Sequence, residues 1–80
     1  MALLRLFAAA REAAGVGRDE VPGATVGAVL DAAVERYGPG LAAVLPTCRV
    51  WRNGDQASRD DPVGDTDEVA VLPPVSGGST

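Results

Sequence analysis

Thr25-Val26-Gly27-Ala28-Val29-Leu30-Asp31-Ala32-Ala33-Val34-Glu35-Arg36-Tyr37-Gly38-Pro39-Gly40 carries the strongest helical period of the chain. Val26, Val29, Leu30, Ala33 and Tyr37 recur at helical spacing, while Asp31, Glu35 and Arg36 fall elsewhere. Such a stripe makes one apolar face. Thr25 suits the N-cap, and Gly38-Pro39-Gly40 stops the helix. One helix with one apolar face needs a second layer to cover it.

The flanking sequence supplies that layer. Ala2 to Ala8 reads as a strand, with Ala2, Leu4 and Leu6 on one face and Leu3, Arg5 and Phe7 on the other. Ala9 to Ala14, closed by Gly15, is a short helix or turn. Arg18 to Val21 is a second strand, and so short a connection makes it antiparallel to the first. Leu41 to Leu45 gives another helical turn before Pro46. Cys48 to Arg52 is the next strand, followed by the tight-turn signal Asn53-Gly54-Asp55. Gln56 to Arg59 is at most a short strand, and Asp60 to Thr66 is a polar loop. Glu68 to Leu72 is the last strand, expected beside the first in mid-sheet. The predicted fold is α+β: a mixed sheet of four to five strands with one main helix on one face. Residues 1–72 form the domain and residues 73–80 a flexible tail.

Composition narrows the function. Eighty residues allow one domain with a small core. No apolar run approaches a membrane span, and Met1-Ala2-Leu3-Leu4-Arg5 lacks the pattern of a signal peptide. A single cysteine, Cys48, fits a reducing compartment, so a cytoplasmic location is expected. The net charge of −4 argues against nucleic acid and favours a partner with a basic docking surface. All seven side-chain cations are arginine, so no lysine here accepts an isopeptide bond; GC-rich codon usage is the simpler cause.

Catalytic machinery is missing. There is no histidine, and one cysteine cannot build a zinc site. Cys48 reads as a small buried apolar residue rather than a nucleophile. Asp60, Asp61, Asp65, Asp67 and Glu68 do not follow a calcium-loop pattern and read as a solvated acidic face. No metal site and no permanently bound cofactor are expected.

The end of the chain is different. Pro73 and Pro74 cannot extend a ladder or a helix, so Val75-Ser76-Gly77-Gly78 should project from the body. Extended at about 3.3 Å per residue, Pro73 to Gly78 reaches about 20 Å. Glycine backbone enters channels too narrow for a side chain. The bland alternative is an ordinary polar terminus. Strand alternation also places Phe7, Trp51 and Leu72 on the face away from the helix, an apolar patch suited to a partner. The competing reading places Trp51 in the core.

Leu6-Phe7-Ala8-Ala9-Ala10-Arg11-Glu12, Asp65-Thr66-Asp67-Glu68-Val69 and Leu72-Pro73-Pro74-Val75-Ser76-Gly77-Gly78 resemble the MoaD/ThiS sulfur carriers, most of all the molybdopterin synthase small subunits. The resemblance runs from Met1 to Gly78 and implies the ubiquitin-like β-grasp fold. It implies that a ubiquitin-activating-type adenylyltransferase (MoeB-like) uses ATP to adenylate the Gly78 carboxylate. The adenylate then becomes a thiocarboxylate, and the tail delivers its sulfur on a molybdopterin synthase large subunit (MoaE-like), which holds the catalysis. Thiamine, cysteine or secondary-metabolite synthesis are alternative destinations, and protein modification is an alternative role. Mature carriers end at the second glycine, whereas Ser79 and Thr80 follow here. Either a peptidase trims them, or the chain is inactive as written, or the two residues are foreign to it.

Overall fold

The computed structural model describes residues 1–74. The tail positions Val75, Ser76, Gly77 and Gly78 lie outside the described residues. Five strands form one mixed sheet: β1 (Ala2–Leu6), β2 (Arg18–Val21), β3 (Arg49–Arg52), β4 (Asp55–Gln56) and β5 (Glu68–Leu72), in the order β2-β1-β5-β3-β4. The helices are α1 (Ala8–Ala14), α2 (Val26–Tyr37) and α3 (Pro39–Val44), with a single 3-10 turn at Leu45–Thr47.

β5 takes the centre, parallel to β1 and antiparallel to β3. Its sequence suits that place, because Val69 and Val71 are fully buried. They pack with Ala2, Leu4, Leu6 and Val21 of the sheet against Val26, Val29, Leu30 and Ala33 of α2. The apolar stripe of α2 therefore covers one face of the sheet, in the two-layer β-grasp arrangement expected. At Asn53-Gly54 both residues have positive φ, 52° and 89°. Such a turn matches the twist of a two-residue hairpin between β3 and β4.

Several local expectations need correction. Gly38-Pro39-Gly40 does end α2, but Pro39 also opens α3, since its missing N–H costs nothing in a first helical turn. That turn buries Leu41 completely. β3 begins at Arg49, because Cys48 belongs to the exit of the 3-10 turn. Its amide donates to the Leu45 carbonyl at 3.0 Å and its thiol lies 3.4 Å from the Val44 carbonyl. Cys48 is half-buried against the core rather than fully inside it.

The loop of residues 60–66 is more than a polar connection. Val26 N–H donates to Asp61 O, Gly27 N–H to Arg59 O and Val63 N–H to Ala24 O, each at 2.9 Å. With Thr25 Oγ1 accepting from Ala28 N–H at 3.1 Å, the first two of these bonds satisfy the free donors of Val26, Gly27 and Ala28 at the helix start, while the third ties the loop to the residue before Thr25. Val63 drops into the core, its apolar side chain being the one residue of the stretch able to do so. The acidic cluster is likewise not simply solvated. Asp65 binds the terminal amine at 2.8 Å, and Asp67 accepts from Gly64 N–H at 2.8 Å and Asn53 Nδ2 at 2.9 Å. These bonds hold both Asp65 and Asp67 below the usual carboxylate range.

Candidate functional site

β5 positions everything on the open face of the sheet. In the central register Arg5 of β1, Ala70 of β5 and Trp51 of β3 stand side by side. Ala70 is small, so its methyl floors a depression lined by Phe7, Trp51, Asn53, Gly54, Glu68 and Leu72. The three residues predicted for a docking patch are thus brought together. Each is half-buried and outside the core cluster, so the alternative of a core tryptophan does not hold. Strand alternation is the reason: Val50, the neighbour of Trp51, takes the core side.

Phe7 is held by its backbone. Its N–H donates to Val71 O at 3.1 Å, continuing the ladder one step beyond β1. Its carbonyl accepts from Ala10 N–H at 3.1 Å and Arg11 N–H at 3.4 Å, which starts α1. Ala8, with φ at 52°, makes the sharp change of direction between strand and helix. The Arg5 guanidinium lies 5.3 Å from the Phe7 ring centroid, within cation–π range, and also meets Glu68 at 3.4 Å. Sequence reading did not find this pairing, although the i, i+2 spacing of Arg5 and Phe7 on one strand face would have allowed it.

Leu72 closes β5 opposite Arg49. Pro73 and Pro74 follow, exposed and outside any element, since neither has an N–H for the ladder. The chain therefore leaves the sheet at the rim of the Phe7–Trp51–Leu72 depression. Asn53 braces the other rim: its side chain accepts from Glu68 N–H at 2.8 Å, and its own N–H donates to Glu68 O at 2.9 Å. Among the described residues no group of three or more His, Cys, Asp or Glu side chains is placed to hold a metal ion. Among the same residues no helix is long and apolar enough to cross a membrane.

The ThiS family profile matches residues 4–78. The chain belongs to the ThiS family. It is thus one of the ubiquitin-like sulfur-carrier and modifier proteins, and its solved relatives agree. The crystal structure of small archaeal modifier protein 1 from Haloferax volcanii is 39% identical, with a TM-score of 0.76, covering 95% of this chain and 97% of that one. The solution structure of small archaeal modifier protein 1 from Methanosarcina acetivorans is 29% identical, with a TM-score of 0.86 and coverage of 96% and 95%. A Pyrococcus furiosus protein provisionally named molybdopterin converting factor, subunit 1, is 26% identical, with a TM-score of 0.75 and coverage of 92% and 97%. In this ThiS-family chain the family match extends through Gly77 and Gly78.

Proposed function

We propose that this chain carries sulfur as a thiocarboxylate on Gly78 for molybdopterin synthesis. The observation that carries the reading is the Leu72-Pro73-Pro74-Val75-Ser76-Gly77-Gly78 run of a ThiS-family chain, starting at the rim of an apolar depression. A carboxylate is a poor electrophile because its oxygen does not leave. Attack of a Gly78 carboxylate oxygen on the α-phosphorus of ATP, with loss of pyrophosphate, gives an acyl adenylate. Sulfide-level sulfur then attacks the acyl carbon and displaces AMP, leaving a thiocarboxylate whose sulfur is the nucleophile that the tail delivers at high effective concentration. The chemistry requires a free Gly78 carboxylate, so Ser79-Thr80 must be absent from the active form. The chain brings no catalytic group; the ATP is used by an adenylyltransferase of the MoeB kind, and the pterin chemistry belongs to a MoaE-like large subunit.

The test is intact mass. The chain ending at Gly78, incubated with adenylyltransferase, ATP and a sulfur source, should gain the mass difference between sulfur and oxygen. A trimmed chain that never gains it would end this reading. A second role is favoured by one observation, the 39% identity to small archaeal modifier protein 1: conjugation of Gly78 to lysines of other proteins. Covalent adducts of this chain on a denaturing gel of host lysate would support that role, and their absence would leave carriage alone.

A further inference from the structure

Net charge alone favours a basic partner surface, but the charge around the tail root is of the opposite kind. Four of the seven arginines are in ion pairs: Arg5 with Glu68, Arg36 with Asp19, Arg52 with Asp67 and Arg59 with Asp31. Among the described residues Arg11, Arg18 and Arg49 have no carboxylate within ion-pair distance, and all three are exposed. The fold gathers them. Arg49 stands opposite Leu72, the last strand residue before the tail. Arg11 lies over Gly17, where an added Cβ would sit 3.3 Å from its Nε. Arg5, Arg11 and Arg18 line one cleft with Phe7 and Val16, and Val16 is one of only two exposed large apolar residues among those described.

Arg18 also pairs directly with Arg5 across the antiparallel β1–β2 ladder. Like charges so placed destabilise a sheet, and a broken local rule of this kind marks a site that serves something other than the fold. Glu12, next to Arg11, is the one acid on α1. On β2, Asp19 is taken up by Arg36 and Tyr37, and the exposed Glu20 stands opposite Leu3, two residues further from the tail end than Arg18 opposite Arg5. Asp65, Asp67 and Glu68 gather around the start of β5, the end away from the tail.

We propose that Arg11, Arg18 and Arg49, with Arg5, form a cationic collar around the tail root that meets a carboxylate-rich rim on the adenylyltransferase that takes the tail. The collar spans α1, β1, β2 and β3 and flanks the apolar depression of Phe7, Trp51 and Leu72. An apolar centre with a charged margin is the layout of a protein interface rather than of a small-anion site. Complementary charge at the margin speeds association and fixes the orientation in which the tail enters. The inference rests on the tail-delivery reading above.

The test uses the chain ending at Gly78 and the purified adenylyltransferase of its own host, followed by ATP–pyrophosphate exchange. The Arg11→Glu, Arg18→Glu, Arg49→Glu triple variant should raise the KM for the carrier about tenfold or more, with kcat little changed. The wild-type KM should climb with salt over about 20 to 500 mM, and that of the triple variant should not. Thermal unfolding should show no loss of stability, since Arg18→Glu removes a repulsion; single changes to Gln repeat the test with less perturbation. An unchanged KM, or a lowered one, overturns the collar while leaving sulfur carriage intact. Saturable binding of inorganic triphosphate, lost in the triple variant with the KM unmoved, overturns it in favour of a small-anion site. No exchange with the wild-type chain overturns the functional reading and the collar with it.

Discussion

Removal of the Trp51 side chain should separate binding from folding. Trp51 stands over the Ala70 methyl with Phe7 and Leu72 around it, on the face opposite α2. A fully buried tryptophan covers about 150–250 Å², so a half-buried one loses about 100 Å² on truncation, worth at most about 2.5 kcal/mol of folding. Leu4, fully buried between β2 and β5, gives the contrast: Leu4→Ala should cost about 3–5 kcal/mol through transfer and cavity together. At a partner surface the order reverses. An aromatic anchor in an interface centre is worth about 2 kcal/mol or more, which is about thirtyfold in affinity. Titration calorimetry against the proposed partner, a MoaE-like large subunit, paired with denaturant unfolding of the free chain, measures both. Trp51→Ala should bind about thirtyfold more weakly and still fold, whereas Leu4→Ala should be the less stable of the two. If Trp51→Ala destabilises as much as Leu4→Ala, or if its affinity equals that of the wild type, the docking face is wrongly placed.

Gly78→Ala should lose adenylation in the exchange assay and shift the Tm by no more than about 3 °C, because a substitution outside the core usually costs under about 0.5 kcal/mol. Gly23→Ala should lower the Tm by about 4 °C or more: φ there is 152°, and a Cβ would lie 2.6 Å from Val29 N and 2.8 Å from its Cγ2. Asp19 accepts from the Tyr37 hydroxyl and from Arg36 at 2.6 Å, and these bonds, Tyr37 first, hold its carboxyl below the ordinary range. A depressed folded pKa means that the unfolded chain binds the proton first. The stabilisation is therefore complete above the ordinary carboxylate pKa of about 3.9 and is lost as pH falls through the folded value. Carboxyl-carbon titration by NMR should find the Asp19 pKa higher in Tyr37→Phe; an unmoved pKa would show that Arg36 alone accounts for it.

Sequence legibility followed the range of the forces involved. The α2 period, the alternation within β1 and β5, the Asn53-Gly54 hairpin and the Pro73-Pro74 exit all rest on contacts within a few residues and are found as read, except that β1 stops at Leu6 rather than Ala8, because Ala8, at positive φ, already turns the chain into α1. Alternation also puts Phe7, Trp51 and Leu72 on one face, because a strand turns every second side chain the same way. What failed was non-local. Val63 reads as part of a polar loop because its burial depends on backbone bonds from that loop to the start of α2, about forty residues earlier in the chain. Asp67 looks like one acid among many until the sheet brings Asn53, fourteen residues earlier, to it.

Charge shows the division most clearly. The sequence by itself determines the amounts: seven arginines against eleven acids, no lysine, no histidine, and two glycines beyond two prolines. Its apolar periods give the class of fold, and its motifs give the resemblance to sulfur carriers. Only the tertiary structure decides where the charges stand. It pairs four arginines with acids and leaves three around the root of the tail. A net charge acts at a distance and is blurred by salt, whereas the field that a docking partner meets falls off within about 10 Å. At that range the strand register that sets Arg18 beside Arg5 and Arg49 beside Leu72 outweighs the sum over the chain.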